Sequence, residues 1–129
     1  KAAPVILDMG RLRQGRAQAI LVNSGNANAC TGEQGMEIAI GTGAMVADAL
    51  GIDDALIQVA STGVIGEQLD AKPFASAVPR LVEKLSADGF ADLARAIMTT
   101  DTVPKTSSAT LVIDGTEVHM LGVAKGSGM

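Results

Sequence analysis

Four stretches of this chain carry hydroxyls, amides, an ammonium or bare backbone in patterns that suit chemistry at a carbonyl or carboxylate. The first runs from Ile57 to Gly66 and contains Ser61-Thr62-Gly63. Its apolar start, Leu56 to Ala60, predicts a buried strand, which stops at two hydroxyl residues and a glycine. Gly63 has no Cβ, so a substrate can approach its backbone closely. Hydroxyl and N–H donors gathered there suit a carbonyl oxygen that gains negative charge, an oxyanion hole. They suit a phosphate or carboxylate equally well. An ordinary strand-to-loop turn, with Ser61 and Thr62 satisfying local backbone groups, uses the same residues.

The second stretch is Asn23-Ser24-Gly25-Asn26-Ala27-Asn28-Ala29-Cys30-Thr31-Gly32. Asn tolerates left-handed backbone and bonds its own loop, so this loop can hold an irregular path or offer amides to a ligand. Cys30 has no recognisable base nearby and reads as a small packing residue rather than a nucleophile. The third stretch, Met98-Thr99-Thr100-Asp101-Thr102, is either a capped helix end leading into a strand or a hydroxyl ring around a small polar substrate. The fourth, Ala124-Lys125-Gly126-Ser127-Gly128-Met129, places an ammonium beside exposed backbone, where it can neutralise a carboxylate. It lacks the spacing of a phosphate loop, which sets its Lys after the glycines.

The elements that must position these stretches are legible from periodicity. Val5-Ile6-Leu7 and Ala19 to Val22 predict strands, with a polar turn over Gly10 to Gly15. Thr31 and Gln34 stand at capping-box spacing. The helix they open has an apolar stripe through Met36, Ala39, Ile40, Gly43, Val46, Ala47 and Leu50, on which Gly43 admits another backbone, and Gly51 terminates it. Strand, helix and strand in this order form the first half of an α/β layer. Pro73 suits the first turn of a helix through Phe74, Ala77, Val78, Leu81, Val82 and Leu85. Pro79 predicts a kink there or two short helices. A third helix is expected from about Asp88 through Ile97. Asp114-Gly115 predicts a hairpin between Ala109–Ile113 and Thr116–Val123. His119, alone on the second arm, reads as a surface or packing residue rather than a catalyst.

Composition narrows the possible functions. The 129 residues suffice for one domain with a core. Hydrophobic residues make up 47% and charged residues 19%, so the chain is globular rather than disordered. The core must be aliphatic, because the aromatics are two Phe and nothing else. Stacking on nucleobases is therefore nearly excluded. A net charge of −4 without a basic cluster argues against nucleic acid and anionic membrane. No apolar run is long enough to span a bilayer. The single cysteine cannot form an internal disulfide, and no Cys/His spacing suggests zinc or another metal. An intracellular location is the default expectation. The chain opens at Lys1-Ala2-Ala3-Pro4 and ends inside a glycine loop, so a longer parent chain is expected.

The four stretches, in this order and spacing, resemble the ornithine acetyltransferases (glutamate N-acetyltransferases) of arginine biosynthesis. The resemblance implies an α/β (α+β) sandwich, with a mixed sheet and flanking helices. Its layers become α-β-β-α when a second (β) chain completes them. It implies that residues 1–129 are a single domain, most of the α chain of a precursor that cuts itself before a threonine. That threonine, the first residue of the β chain, is the family's nucleophile, and the β chain also carries the glutamate beside it and further substrate contacts. On this chain, Thr62 through its hydroxyl and Gly63 through its N–H match the oxyanion pair. Thr99 and Lys125 match substrate-binding positions.

The activity implied is acetyl transfer from N-acetylornithine to glutamate. It needs no cofactor, although acetyl-CoA serves some members as a donor. Two α and two β chains in the cytoplasm are the implied assembly. The isolated chain should be inactive and poorly soluble, since it would expose surface that its companion covers. A continuation like Pro-Asn-Met-Ala-Thr after Met129 would favour the transferase. The residues alone also admit a non-catalytic small-anion-binding domain, and the self-cleaving fold also admits an amidase or peptidase.

Overall fold

The structure, a computed structural model, describes residues 1–126. It divides into two compact units, Lys1–Ser86 and Ala87–Met129. The mixed α/β class expected from the sequence is present, with parallel pairing in the first unit and antiparallel pairing in the second. The pairing is split between two separate two-stranded sheets.

The first unit is built on strands β1 (Ala19–Asn26) and β2 (Ile57–Val64), which run parallel with Ala19 opposite Ile57 and Gly25 opposite Gly63. Parallel neighbours need a long crossover, and helix α2 (Gly32–Leu50) supplies it. Leu21, Ile57 and Val59 from the strands pack with Ala39, Val46 and Ala47 of α2. Helix α3 (Lys72–Glu83) adds Val78 to the same core. Ile57 is wholly buried, and burying a side chain of its size contributes about 1.5–3 kcal/mol.

Val5-Ile6-Leu7 is helical rather than a strand. It lies in helix α1 (Ala3–Arg11), with Pro4 in the first turn, and a 3-10 turn, Leu12–Gln14, takes up much of the predicted polar loop. Three apolar residues carry too little periodicity to separate helix from strand. The tertiary reason for the helix is visible in its polar residues. Asp8 and Arg11 are three apart and share a face. Asp8 Oδ1 accepts the Val59 N–H at 3.1 Å, and Arg11 Nη1 donates to the Ile57 carbonyl at 2.9 Å. The edge of β2 away from β1 is thereby satisfied by side chains, one way a sheet edge is kept from pairing with another chain. Arg11 also explains Gly43: a Cβ there would lie 2.8 Å from Arg11 Nη1. The glycine makes room for a guanidinium, not for a second backbone.

Two further local expectations are revised. Thr31 precedes α2 but makes no side-chain cap; its hydroxyl donates to Asn28 Oδ1 at 2.7 Å. Asn28 is fully buried, and a buried amide left unpaired costs more than a helix cap contributes. Pro79 does not divide α3, which is one helix from Lys72 to Glu83. Pro79 and Ala75 are both exposed, so the Ala75 carbonyl that loses its helical donor faces water. Gly51 ends α2 in the left-handed conformation, as its position implies, and Pro73 sits in the first turn of α3.

In the second unit, helix α4 (Phe90–Ala96) is shorter at both ends than the predicted Asp88–Ile97. Strands β3 (Lys105–Ile113) and β4 (Thr116–Ala124) form the expected hairpin. Asp114 and Gly115 turn it with φ of 49° and 78°, the paired positive values of a type I′ turn. β3 begins at Lys105, ahead of the predicted Ala109, and sets Lys105 opposite Ala124.

Candidate functional site

The Ser61-Thr62-Gly63 stretch lies inside strand β2 rather than beyond its end. Pairing continues past the apolar residues as Asn23 to Ser61, Ser24 to Thr62 and Gly25 to Gly63, with an irregularity at Asn26. Both polar ends thus run side by side. Thr62 and Gly63 are half-buried. Thr62 forms no side-chain hydrogen bond among the described residues, whereas Ser61 Oγ donates to Asn23 Oδ1 at 2.6 Å. Of the two hydroxyls, Ser61 is committed to the scaffold. Gly63 has φ of 136°, a region that L side chains rarely enter. A Cβ on it would also meet the Gly25 carbonyl carbon at 2.3 Å and the Asn26 nitrogen at 2.6 Å. The glycine is demanded by the neighbouring backbone of the protein itself.

The Asn-rich segment spends its amides on its own path. Asn23 Nδ2 donates to the Asn26 carbonyl at 3.0 Å, and Asn26 Oδ1 accepts the Asn28 N–H at 2.7 Å. Asn28 Nδ2 reaches the Gly35 carbonyl at 2.8 Å, and Asn26 Nδ2 reaches the Glu67 carbonyl at 3.0 Å. Backbone bonds from Ala27 N–H to the Val64 carbonyl and from Gly66 N–H to the Ala29 carbonyl, each 2.8 Å, tie the segment to the end of β2. It acts as a brace beside Thr62 and Gly63. A cavity of about 430 Å³ opens between β1 and α3, lined by Leu21, Asn23, Ser24 and Phe74 among others; Thr62 and Gly63 do not line it.

In the second unit the structure brings Thr99 and Lys125 together. The hairpin register is the reason: Lys105 starts β3 opposite Ala124, so Lys105 and Lys125 come to one end of the hairpin. The segment between α4 and β3 crosses that end and carries Thr99 and Asp101. Lys125 Nζ donates to Thr99 Oγ1 at 2.8 Å and to Asp101 Oδ2 at 2.9 Å. Asp101 Oδ1 accepts from Lys105 Nζ at 2.7 Å and from the Gly126 N–H at 2.8 Å. The Thr99 N–H makes a longer contact to Oδ2 at 3.4 Å.

The Asp101 side chain is 1% exposed, against 38% for Lys105 and 20% for Lys125. The ammonium of Lys105, then that of Lys125 and the Gly126 N–H, hold its carboxyl well below the usual carboxylate range. With its lone pairs filled, the carboxylate is satisfied although buried. Two ammonium groups around one carboxylate leave the cluster positive. Asp101 and Lys105 were not expected from the sequence as site residues. The available signal was an acid within a run of threonines, four residues before a lysine. Ser127, Gly128 and Met129 of the fourth stretch lie outside the described residues.

Cys30, expected to be a small packing residue, is instead exposed, with φ of 59°. His119 is exposed on the hairpin, its Nδ1 3.1 Å from Thr110 Oγ1 and its Nε2 3.1 Å from Glu117 Oε1. Among the described residues no cluster of three or more His, Cys, Asp or Glu is placed to hold a metal. No helix among them is long and apolar enough to cross a membrane.

Comparison with known proteins bears on both units. The model of the ArgJ family matches residues 1–129. The arginine biosynthesis bifunctional protein ArgJ of Desulfotalea psychrophila is 54% identical over 129 residues, which are 100% of this chain and 33% of that protein. The protein of the same name from Symbiobacterium thermophilum is 52% identical, again over 100% of this chain and 32% of its own length. The chain therefore spans about a third of the length of these curated relatives. A crystal structure of the arginine biosynthesis bifunctional protein ArgJ from Bacillus halodurans superposes with a TM-score of 0.91 at 37% identity, covering 100% of this chain and 68% of the solved one. The ornithine acetyltransferase of Mycobacterium tuberculosis, solved with ornithine, gives 0.89 at 35% identity, covering 100% of this chain and 69% of the solved one. On the family match over its whole length and on these relatives, the chain belongs to the ArgJ family.

Proposed function

We propose that this chain is part of an acetyltransferase that moves acetyl from N-acetylornithine to glutamate in arginine biosynthesis. The reading takes the attacking threonine from the rest of the precursor. Its hydroxyl adds to the acetyl carbonyl and passes its proton to the threonine's own α-amine. The α-ammonium returns that proton to the nitrogen of ornithine as its C–N bond breaks. The amine of glutamate then attacks the acetyl-threonine, giving its proton to the α-amine, and the ester C–O bond breaks to release N-acetylglutamate and restore the threonine hydroxyl. Thr62 Oγ1 and the Gly63 N–H stabilise the oxyanion in both steps. Thr99 and Lys125 hold a substrate carboxylate. Acetyl-CoA as a second acetyl donor fits the word bifunctional in the relatives' names.

The observation that carries the reading is the cationic cluster of Lys105, Lys125, Thr99 and Asp101 in the second unit, in which the Lys125 ammonium and the Thr99 hydroxyl are 2.8 Å apart. This is the donor set that an amino-acid carboxylate needs, and the M. tuberculosis relative was solved with an amino acid bound. A companion chain is supported by two observations. Ile20, Ile65, Val112 and Met120 are more than half exposed, apolar surface of the kind partners cover. This sequence also covers about a third of the curated relatives but about two thirds of the solved chains, so the solved polypeptides are roughly half the length of the curated ones. That is the relation expected of a cleaved precursor. Layers in the order α-β-β-α, two copies of each chain and a cytoplasmic setting belong to the same proposal.

Intact-mass spectrometry of the full-length precursor, purified after expression, tests it together with an acetyl-transfer assay. Two polypeptides, the second beginning at a threonine, with ornithine released from N-acetylornithine in the presence of glutamate, are expected. A single uncleaved and inactive polypeptide would refute the proposal.

A further inference from the structure

The Asp101 carboxylate accepts from both lysine ammonium groups and from the N–H groups of Gly126 and Thr99, and the acetyl-transfer reading gives it no task. We propose that Asp101 is a positioning residue: it holds the Lys125 ammonium and the Thr99 hydroxyl at the spacing that receives the substrate carboxylate. The inference rests on the reading of Lys125 and Thr99 as substrate contacts and adds what fixes them.

Three features support it. A lysine side chain is a compact charge on a flexible stem, and alone it would sample many positions around a mobile ligand. Here two of the three Nζ protons are committed, one to Asp101 Oδ2 and one to Thr99 Oγ1, at 2.9 and 2.8 Å. Among the described residues no acceptor takes the third, which suits it to an incoming one. Next, Asp101 grips the same segment twice, by the Lys125 side chain and by the Gly126 N–H at 2.8 Å. Both the ammonium and the backbone that carries it are referenced to one buried carboxylate. Finally, Lys105 offsets the charge of Asp101 at 2.7 Å. Without it, Asp101 would neutralise Lys125; with it, the cluster keeps a net positive charge toward an anion. Holding the lysine in place before binding spares the substrate the cost of ordering it.

The test is a double-mutant cycle in the full-length, processed enzyme, with KM and kcat measured for N-acetylornithine and glutamate. Asp101→Asn should raise KM about tenfold or more with kcat changed less than threefold. Lys125→Met should raise KM by at least as much. In the Lys125→Met background, Asp101→Asn should add less than twofold, because the group it positions is gone. A purely structural role for Asp101 predicts the same added loss in either background, and that result would overturn the inference while leaving the substrate-site reading intact. No effect of Lys125→Met on KM would overturn both. If Asp101→Asn does not yield folded protein, Asp101→Glu decides. It keeps the charge but displaces the carboxylate, so KM should rise with the melting temperature nearly unchanged; an unaltered KM would overturn the proposal.

Discussion

Gly63 and Gly25 stand opposite each other on parallel strands, so close that a Cβ on Gly63 would lie 2.3 Å from the Gly25 carbonyl carbon and 2.4 Å from its oxygen. Neither atom can yield, because both are main chain. The φ of 136° at Gly63 adds a second objection to any side chain. Gly63→Ala should therefore destabilise the first unit by about 2–6 kcal/mol, combining backbone strain with overpacking. Urea unfolding followed by circular dichroism measures it. A loss below about 0.5 kcal/mol, the scale of an unremarkable surface substitution, would show that the strands can part there.

Thr62, the residue before it, should behave in the opposite way. It is half-buried and makes no side-chain hydrogen bond among the described residues. Thr62→Ala should leave the unfolding midpoint close to that of the parent. In the full precursor it should lower kcat by about a hundredfold or more, the usual cost of losing one oxyanion donor. Processing is checked first on a gel, since cleavage can draw on the same donor. Near-parental turnover in a processed sample would remove Thr62 from the oxyanion role.

Acid should act on the two units with opposite signs. In the second unit, the lysine ammonium groups hold the Asp101 carboxyl below the ordinary range. The unfolded chain then takes up its proton first, so the stabilisation is complete above about pH 4 and is lost as pH falls below that. Asp101→Asn should flatten this acid limb. In the first unit, burial raises the Asp8 carboxyl. Its folded form holds the proton more tightly, so its contribution is greatest in acid and is lost as pH rises through the carboxylate range. Asp8→Asn retains an acceptor for the Val59 N–H and should leave neutral-pH stability equal or higher. Asp8→Ala orphans that N–H and should cost about 1–3 kcal/mol. Unfolding curves collected between about pH 2 and 7 separate the cases; an unchanged acid limb in Asp101→Asn would contradict the assignment.

The sequence by itself determined whatever depends on neighbours in the chain. Asp114-Gly115 required its hairpin through turn chemistry, and Gly51 ended α2 because it accepts a left-handed φ of 66°. Apolar runs on either side of a long periodic helix sufficed for the strand–helix–strand order of an α/β layer, and its parallel pairing came with the structure. The four polar stretches were legible as motifs, and it was the family resemblance they carry that singled out Thr62, Gly63, Thr99 and Lys125. Tertiary structure alone decided what depends on residues far apart. Val5 to Leu7 became helix in a unit where Asp8 and Arg11 bond the edge of β2, 51 and 46 residues onward. Thr31 turned from its helix to a buried Asn28. Asp101 gained its place only when the hairpin brought Lys125 back across 24 residues. Periodicity and turn preference are local energies, written in adjacent residues. The pairing of a buried charge is settled by whichever distant group folding delivers to it.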